Sequence, residues 1–111
     1  MSEAETLDAE ALRAFPLPRV ADDSSKEDRG RLLVIAGSRE LAGAALLAGT
    51  AALRAGAGKL QVGTAQSIAA PLAVAMPEAR VIGHAETDEG CIAEDGIPPL
   101  IRWARQAQAV A

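Results

Sequence analysis

Few side chains in this 111-residue sequence are equipped for covalent or acid–base chemistry. His84 is the single histidine and Cys91 the single cysteine. A lone histidine at a sheet edge is more often a satisfied structural residue than a general base. Cys91 has no His or Asp at a spacing that would draw off its proton. Asp88, Glu89, Glu94 and Asp95 bring four acids into one stretch without the glycine-punctuated order of a calcium loop. Solvation explains them better than a metal ion does. No catalytic set is complete, and no metal-ligand set is recognisable.

The backbone offers more. Leu32-Leu33-Val34-Ile35-Ala36 is an apolar run that ends in the turn Gly37-Ser38-Arg39-Glu40-Leu41-Ala42-Gly43. Ligands of open α/β sheets bind at the carboxyl ends of strands, where such a turn lies. Gly43 removes a Cβ where a ligand or another backbone must come close. The helix that follows aims its amino-terminal amides and positive dipole end into the same space, which suits a phosphate or a polar ring. The same glycines serve tight turns equally well. Two nucleotide loops are excluded by spacing. A Walker A loop requires Gly-Lys-Ser/Thr after four intervening residues, and no Lys follows Gly43. The G-x-G-x-x-G fingerprint requires glycines where Arg39 and Ala42 stand.

The elements that must position this turn are legible in outline. Residues 3–15 read as a short amphipathic helix capped by Thr6 or Asp8, with Leu7, Ala11, Leu12 and Phe15 on one stripe. Pro16 and Pro18 end it, and residues 19–31 form a charged connector. Leu32–Ala36 is apolar on both faces, the pattern of a central parallel strand covered by helices. A helix is predicted from about Ala44 to Ala55, stopped by Gly56. Leu60–Gly63 is a second strand. Gln66–Met76 reads as a helix that is either kinked at Pro71 or restarted there. Ala79–Gly83 is a third strand, residues 84–97 are turn-rich, and Pro98-Pro99 open a helix over Leu100–Gln108. Ala109-Val110-Ala111 reads as the start of a further strand. This alternation predicts a right-handed, parallel α/β layer of three strands.

Composition narrows the function classes. Lys plus Arg number 11 and Asp plus Glu 15, a formal charge of −4. That is the wrong sign for a nucleic-acid footprint or a polybasic membrane anchor. Half the residues are hydrophobic, enough for a core, yet the chain has one Phe, one Trp and no Tyr. An interior built so largely of alanine buries little area per residue, so a single domain over residues 1–111 is expected to be marginal alone. One cysteine excludes an internal disulfide and points to a reducing, cytoplasmic setting. The start, Met1-Ser2-Glu3-Ala4-Glu5, carries acid where a signal peptide carries base. The low-charge stretch Leu41–Leu53 is too short to span a bilayer.

Several blocks together resemble a known family. They are Lys26; Gly30-Arg31-Leu32-Leu33-Val34-Ile35-Ala36-Gly37-Ser38; Ala42 to Ala48; Ala51 to Leu60; and Met76-Pro77-Glu78-Ala79. In that order they are similar to the N-terminal part of the ADP/ATP-dependent NAD(P)H-hydrate dehydratases of the ribokinase-like superfamily. The likeness runs from about residue 16 to residue 83. It implies a three-layer, Rossmann-like α/β fold. It also implies a repair enzyme that uses ADP or ATP with Mg2+ to remove water from hydrated NADH or NADPH. Hydroxide leaves poorly, so the ring hydroxyl is phosphorylated and phosphate then departs. The resemblance places the substrate contact on Ala44, with Gly37, Ser38 and Gly43 as the rest of that wall. A methyl group there leaves room for the ring and exposes the backbone amide.

This sequence departs from the family pattern at two places. Ser25-Lys26-Glu27 stands for His-Lys-Gly, and Leu41-Ala42-Gly43 stands for Tyr-Pro-Gly. Family members also continue into a Gly-Pro-Gly turn, a substrate histidine, a Lys-Gly-x-x-Thr motif and a Gly-x-Gly-Asp motif, none of which occurs here. The expectation is therefore a truncated chain that supplies part of the substrate pocket, is inactive alone and self-associates as a homo-oligomer. The nucleotide and Mg2+ sites are expected in the remainder. The only partner expected besides a second copy is the small-molecule substrate. Two other readings stay open: a ribokinase-like kinase of a carbohydrate or vitamin precursor, and a non-catalytic self-associating module.

Overall fold

The computed structural model describes residues 4, 6–26 and 28–111. Its elements are α1 (Ala9–Arg13), β1 (Arg31–Ile35), α2 (Ala42–Arg54), β2 (Lys59–Ala65), α3 (Gln66–Ala75), β3 (Ala79–His84), a 3-10 turn (Glu94–Gly96), α4 (Ile97–Ala104) and β4 (Ala109–Val110). All strand pairs are parallel, in the order β3-β2-β1-β4. The three expected strands thus become four. The terminal Ala-Val-Ala adds to β1, with Leu32 beside Ala109 and Leu33 beside Val110. The Ile35 amide donates to the Ala111 carbonyl at 2.8 Å, and the Ala111 amide donates to the Leu33 carbonyl at 2.9 Å. This makes β1 the interior strand that its two apolar faces predict.

Strand alternation sorts the side chains into layers. Leu32 and Val34 of β1, Leu60 and Val62 of β2, and Ala79 and Val81 of β3 point to one face. There they pack with Ala45 and Ala52 of α2 and with Ile68 and Leu72 of α3. Leu33, Gln61, Gly63 and His84 take the other face, where Leu100 of α4 reaches Gly63. The result is helix, sheet, helix: the α/β sandwich expected.

Several boundaries move. Asp8 caps α1, its carboxylate accepting from the Glu10 and Ala11 amides at 2.9 Å each. The helix runs only five residues and buries none of them. Leu7, Leu12 and Phe15 are exposed, so their shared stripe packs on nothing among the described residues. The part of the predicted helix on Glu3 and Glu5 lies outside the described residues. Pro71 sits inside one continuous α3, so no second helix starts there. Helix α4 ends at Ala104 rather than Gln108, because Gln108 turns back to β1. Its side chain accepts from the Arg31 amide at 2.6 Å, and its own amide donates to the Arg31 carbonyl at 2.9 Å. Among the described residues, no helix is long and apolar enough to cross a membrane.

Candidate functional site

The chain lays β1, β2 and β3 side by side in one direction, then returns across the sheet to place β4 on the far side of β1. The winding therefore reverses between β1 and β4. Beyond the carboxyl ends of those two strands lies the crevice where open α/β sheets take ligands. The turn from Gly37 to Gly43 forms one lip of that crevice.

Gly37 has φ of +89°, a backbone state that L side chains avoid. A Cβ there would lie 2.9 Å from Thr64 Oγ1, 3.1 Å from Ala45 Cβ and 3.1 Å from Ile68 Cδ1. Glycine is thus required twice over, for the turn and for the close seating of α2 and α3 on the sheet. Thr64 is fully buried and its hydroxyl has no partner among the described residues. The Leu41 amide donates to the Ser38 carbonyl at 3.0 Å, which closes the turn.

The start of α2 has no side-chain cap, and no acid stands in its first turn. Its positive end is therefore offset by no side chain of its own. Gly43 and Ala44 are exposed there, and a Cβ at Gly43 would meet nothing within 4 Å. Gly37, Ser38, Gly43 and Ala44 accordingly stand together where the turn after β1 runs into the first turn of α2. One detail differs from expectation. The Ala44 amide is not left open, because it donates to the Leu41 carbonyl at 3.2 Å.

A clamp that the sequence did not reveal holds this loop. The Arg39 amide donates to the Gly90 carbonyl at 2.9 Å, and Arg39 Nη1 donates to the Asp88 carbonyl at 3.0 Å. Arg39 Nη2 donates to Glu86 Oε1 at 2.7 Å. The other oxygen of Glu86 accepts the Ser67 amide, at 3.0 Å, from the first turn of α3. Gly90 has φ of +83°, and a Cβ there would run into the Arg39 side chain. The hydrogen bond from Arg39, and then that from Ser67, hold the Glu86 carboxyl down at about 2. Arg39 and Glu86 read as ordinary surface charges in the sequence; nothing in their spacing links them.

The other chemistry-bearing residues do not converge on the turn. His84 ends β3 with 4% of its surface exposed, and its Nε2 has no partner among the described residues. Burial pushes its pKa below the usual histidine value, so it is held neutral. Cys91 is an exposed free thiol. Among the described residues, no three His, Cys, Asp or Glu side chains gather as a metal site. Lys26 lies at the opposite, amino-terminal end of the sheet, with Arg31 and Lys59 at the strand starts. Glu27, the last residue of the triplet that replaces His-Lys-Gly, lies outside the described residues. The cavities of about 650 and 720 Å3 also open at that opposite end, between the charged connector and the end of α2.

Comparison with known proteins places this arrangement. The sequence profile of the NAD(P)H-hydrate dehydratases matches residues 32–110. An ADP-dependent (S)-NAD(P)H-hydrate dehydratase of Xanthomonas campestris is 56% identical over 85 residues, which are 77% of this chain and 29% of that protein. The structure of the ADP/ATP-dependent NAD(P)H-hydrate dehydratase of Bacillus subtilis, co-crystallised with ATP/Mg2+, superposes with a TM-score of 0.60 at 30% identity. It covers 91% of this chain and 42% of the other. A ribokinase-like superfamily protein of Enterococcus faecalis gives a TM-score of 0.66 at 28% identity, over 83% of this chain and 29% of its own. The matched region is thus less than half of each relative. It takes in the whole βαβαβ unit, the Gly37–Gly43 turn and β4, and the chain belongs to the NAD(P)H-hydrate dehydratase family.

Proposed function

We propose that this chain carries the substrate wall of an ADP/ATP-dependent NAD(P)H-hydrate dehydratase. The observation that carries the reading is the uncapped start of α2 beside exposed Gly43 and Ala44, at the lip where the sheet reverses its winding. A hydrated nicotinamide ring is polar and bulky. It needs a surface without side chains and a field that favours its oxygens and phosphates. Gly43 and Ala44 supply the first, and the helix end supplies the second. The Arg39 side chain points away from this wall to Asp88 and Glu86 and holds the loop from behind, so the wall is preorganised before substrate arrives.

The role given to these 111 residues is binding and orientation. Phosphorylation of the ring hydroxyl turns it into a leaving group. The Lys-Gly-x-x-Thr and Gly-x-Gly-Asp motifs that would serve the nucleotide are not among these residues. The chain by itself is therefore proposed to bind hydrated NADH or NADPH without turning it over.

A titration of the isotope-labelled chain with hydrated NADH, followed by amide resonances, tests the reading. Shifts confined to Gly37–Ala45 are expected, with no recovery of NADH when ADP or ATP is added. Shifts that avoid this loop, or turnover by the chain alone, would remove the proposal.

A further inference from the structure

Lys26, Arg31, Lys59 and Arg80 converge on one recess at the amino ends of the strands, on the face that carries α4. They are four of the 11 Lys and Arg residues in a chain of net charge −4, and Glu78 lines the recess with them. The recess holds about 410 Å3, within the range of small-molecule sites. An annex of about 120 Å3 continues it toward Gln108. Trp103 lines the recess, and the Arg80 guanidinium lies 4.4 Å from the centre of its ring. That stacking fixes the Arg80 charge in place.

Gln61 lines the same recess from β2. It is 7% exposed, and its Oε1 has no hydrogen-bond partner among the described residues. A buried carbonyl left unpaired is costly, and gathered like charges repel one another. One kind of occupant relieves both. It must bring negative charge to Lys26, Arg31 and Arg80. It must also bring a donor to Gln61 Oε1, and a hydroxyl standing apart from the phosphoryl group can reach it while every phosphoryl oxygen faces the cations.

We propose that this recess binds a small organic phosphate. Lys26, Arg31 and Arg80 hold the phosphoryl group, and a hydroxyl of the same molecule donates to Gln61 Oε1. The site lies at the opposite end of the sheet from Gly43 and Ala44. It is separate from the substrate wall and does not depend on that reading.

The chain carries its own probe. Trp103 is the single tryptophan and there is no tyrosine, so emission reports on this recess. The whole chain is titrated with glucose 6-phosphate at constant ionic strength, and in parallel with inorganic phosphate and with glucose. The expected result is a saturable change in Trp103 emission with glucose 6-phosphate, about tenfold tighter than with inorganic phosphate. Lys26→Gln and Arg31→Gln each weaken it about tenfold. Gln61→Leu lowers glucose 6-phosphate to the level of inorganic phosphate, and Arg13→Gln, on α1, changes nothing. Absence of a saturable change overturns the proposal. So does equal affinity for the sugar phosphate and inorganic phosphate, or indifference to both cation variants. Should Gln61→Leu fail to fold, the Lys26 and Arg31 variants decide, because neither side chain belongs to the core.

Discussion

Arg39 and Glu86 stand 47 residues apart in the chain and 2.7 Å apart in space. The pair ties the loop after β1 to the loop after β3, and Glu86 adds the first turn of α3 through Ser67. Three crossings of the sheet thus meet at one carboxylate. Arg39 is about half exposed, so solvent screens the pair and its value is positional more than energetic.

The first prediction follows from that carboxylate. Glu86 is held at about 2 in the folded chain against an ordinary 4.5. Between those values the unfolded chain binds the proton and the folded chain does not. The clamp's stabilisation is therefore complete above about 4.5 and is lost as pH falls toward 2. Denaturant melts of the parent and of Glu86→Gln are expected to coincide near the lower pH and to separate as pH rises through the window. A constant gap would show that the ion pair is not its source.

His84 gives a second, higher window. Burial lowers its pKa from 6.5, so the unfolded state again binds the proton first. Stability is present above 6.5 and declines as pH falls below it. His84→Asn is expected to flatten that part of the stability profile whatever it does to the absolute level. An unchanged slope would mean that His84 does not titrate on unfolding.

Gly37 and Gly43 are predicted to respond oppositely to the same substitution. Gly37→Ala meets Thr64, Ala45 and Ile68 in a positive-φ turn. A loss of about 2 kcal/mol or more is expected. Gly43→Ala meets nothing within 4 Å inside the first turn of α2, so it should leave stability unchanged or raise it by up to about 1 kcal/mol. Denaturation of the two variants decides the matter, and equal losses would refute this account of the turn.

The contrast shows what was legible in the sequence. The βαβαβ order, the turn and its glycines could be read because apolar runs and glycine punctuation are local signals. The likeness to the dehydratases rested on the same stretch. The amphipathic stripe of Leu7, Leu12 and Phe15 misled, since a pattern cannot say whether a partner surface exists. Arg39, Glu86 and Thr64 were invisible for a different reason. Their roles come from strands brought together, with Thr64 under Gly37 and Glu86 beside Arg39, and no sequence spacing encodes that. The sheet extension by Ala109-Val110 was half visible, as residues of strand type with no sign of which neighbour they would choose.

Ala44 tests the substrate wall directly. Its side chain is exposed at the start of α2, so a larger residue costs the core nothing. In the proposed site it would occupy the space of the ring. Ala44→Leu is expected to weaken binding of hydrated NADH at least about tenfold, which corresponds to about 1.4 kcal/mol, while the melting curve stays within about 0.5 kcal/mol of the parent. Unchanged binding by a folded variant would remove Ala44 from the site.

The last prediction concerns assembly. Parallel sheets are ordinarily covered on both faces. Here α2 and α3 cover one face, while on the other a single eight-residue helix, α4, packs through Leu100. Val110, which shares that second face with Leu33 by register, is 50% exposed. Ile35 is exposed on the same face, and Ile97 and Ile101 are exposed on α4 itself. β4 is the edge strand of the sheet beside these side chains. Apolar surface next to an edge strand favours contact between copies, and a sheet of this size has little stability to set against it. Sedimentation velocity across a dilution series is expected to show self-association that weakens on dilution. Val110→Lys, which puts a charge at the edge without touching the core, should shift the population toward monomer. A compact monomer that unfolds cooperatively at every concentration would show instead that α4 covers this face well enough alone.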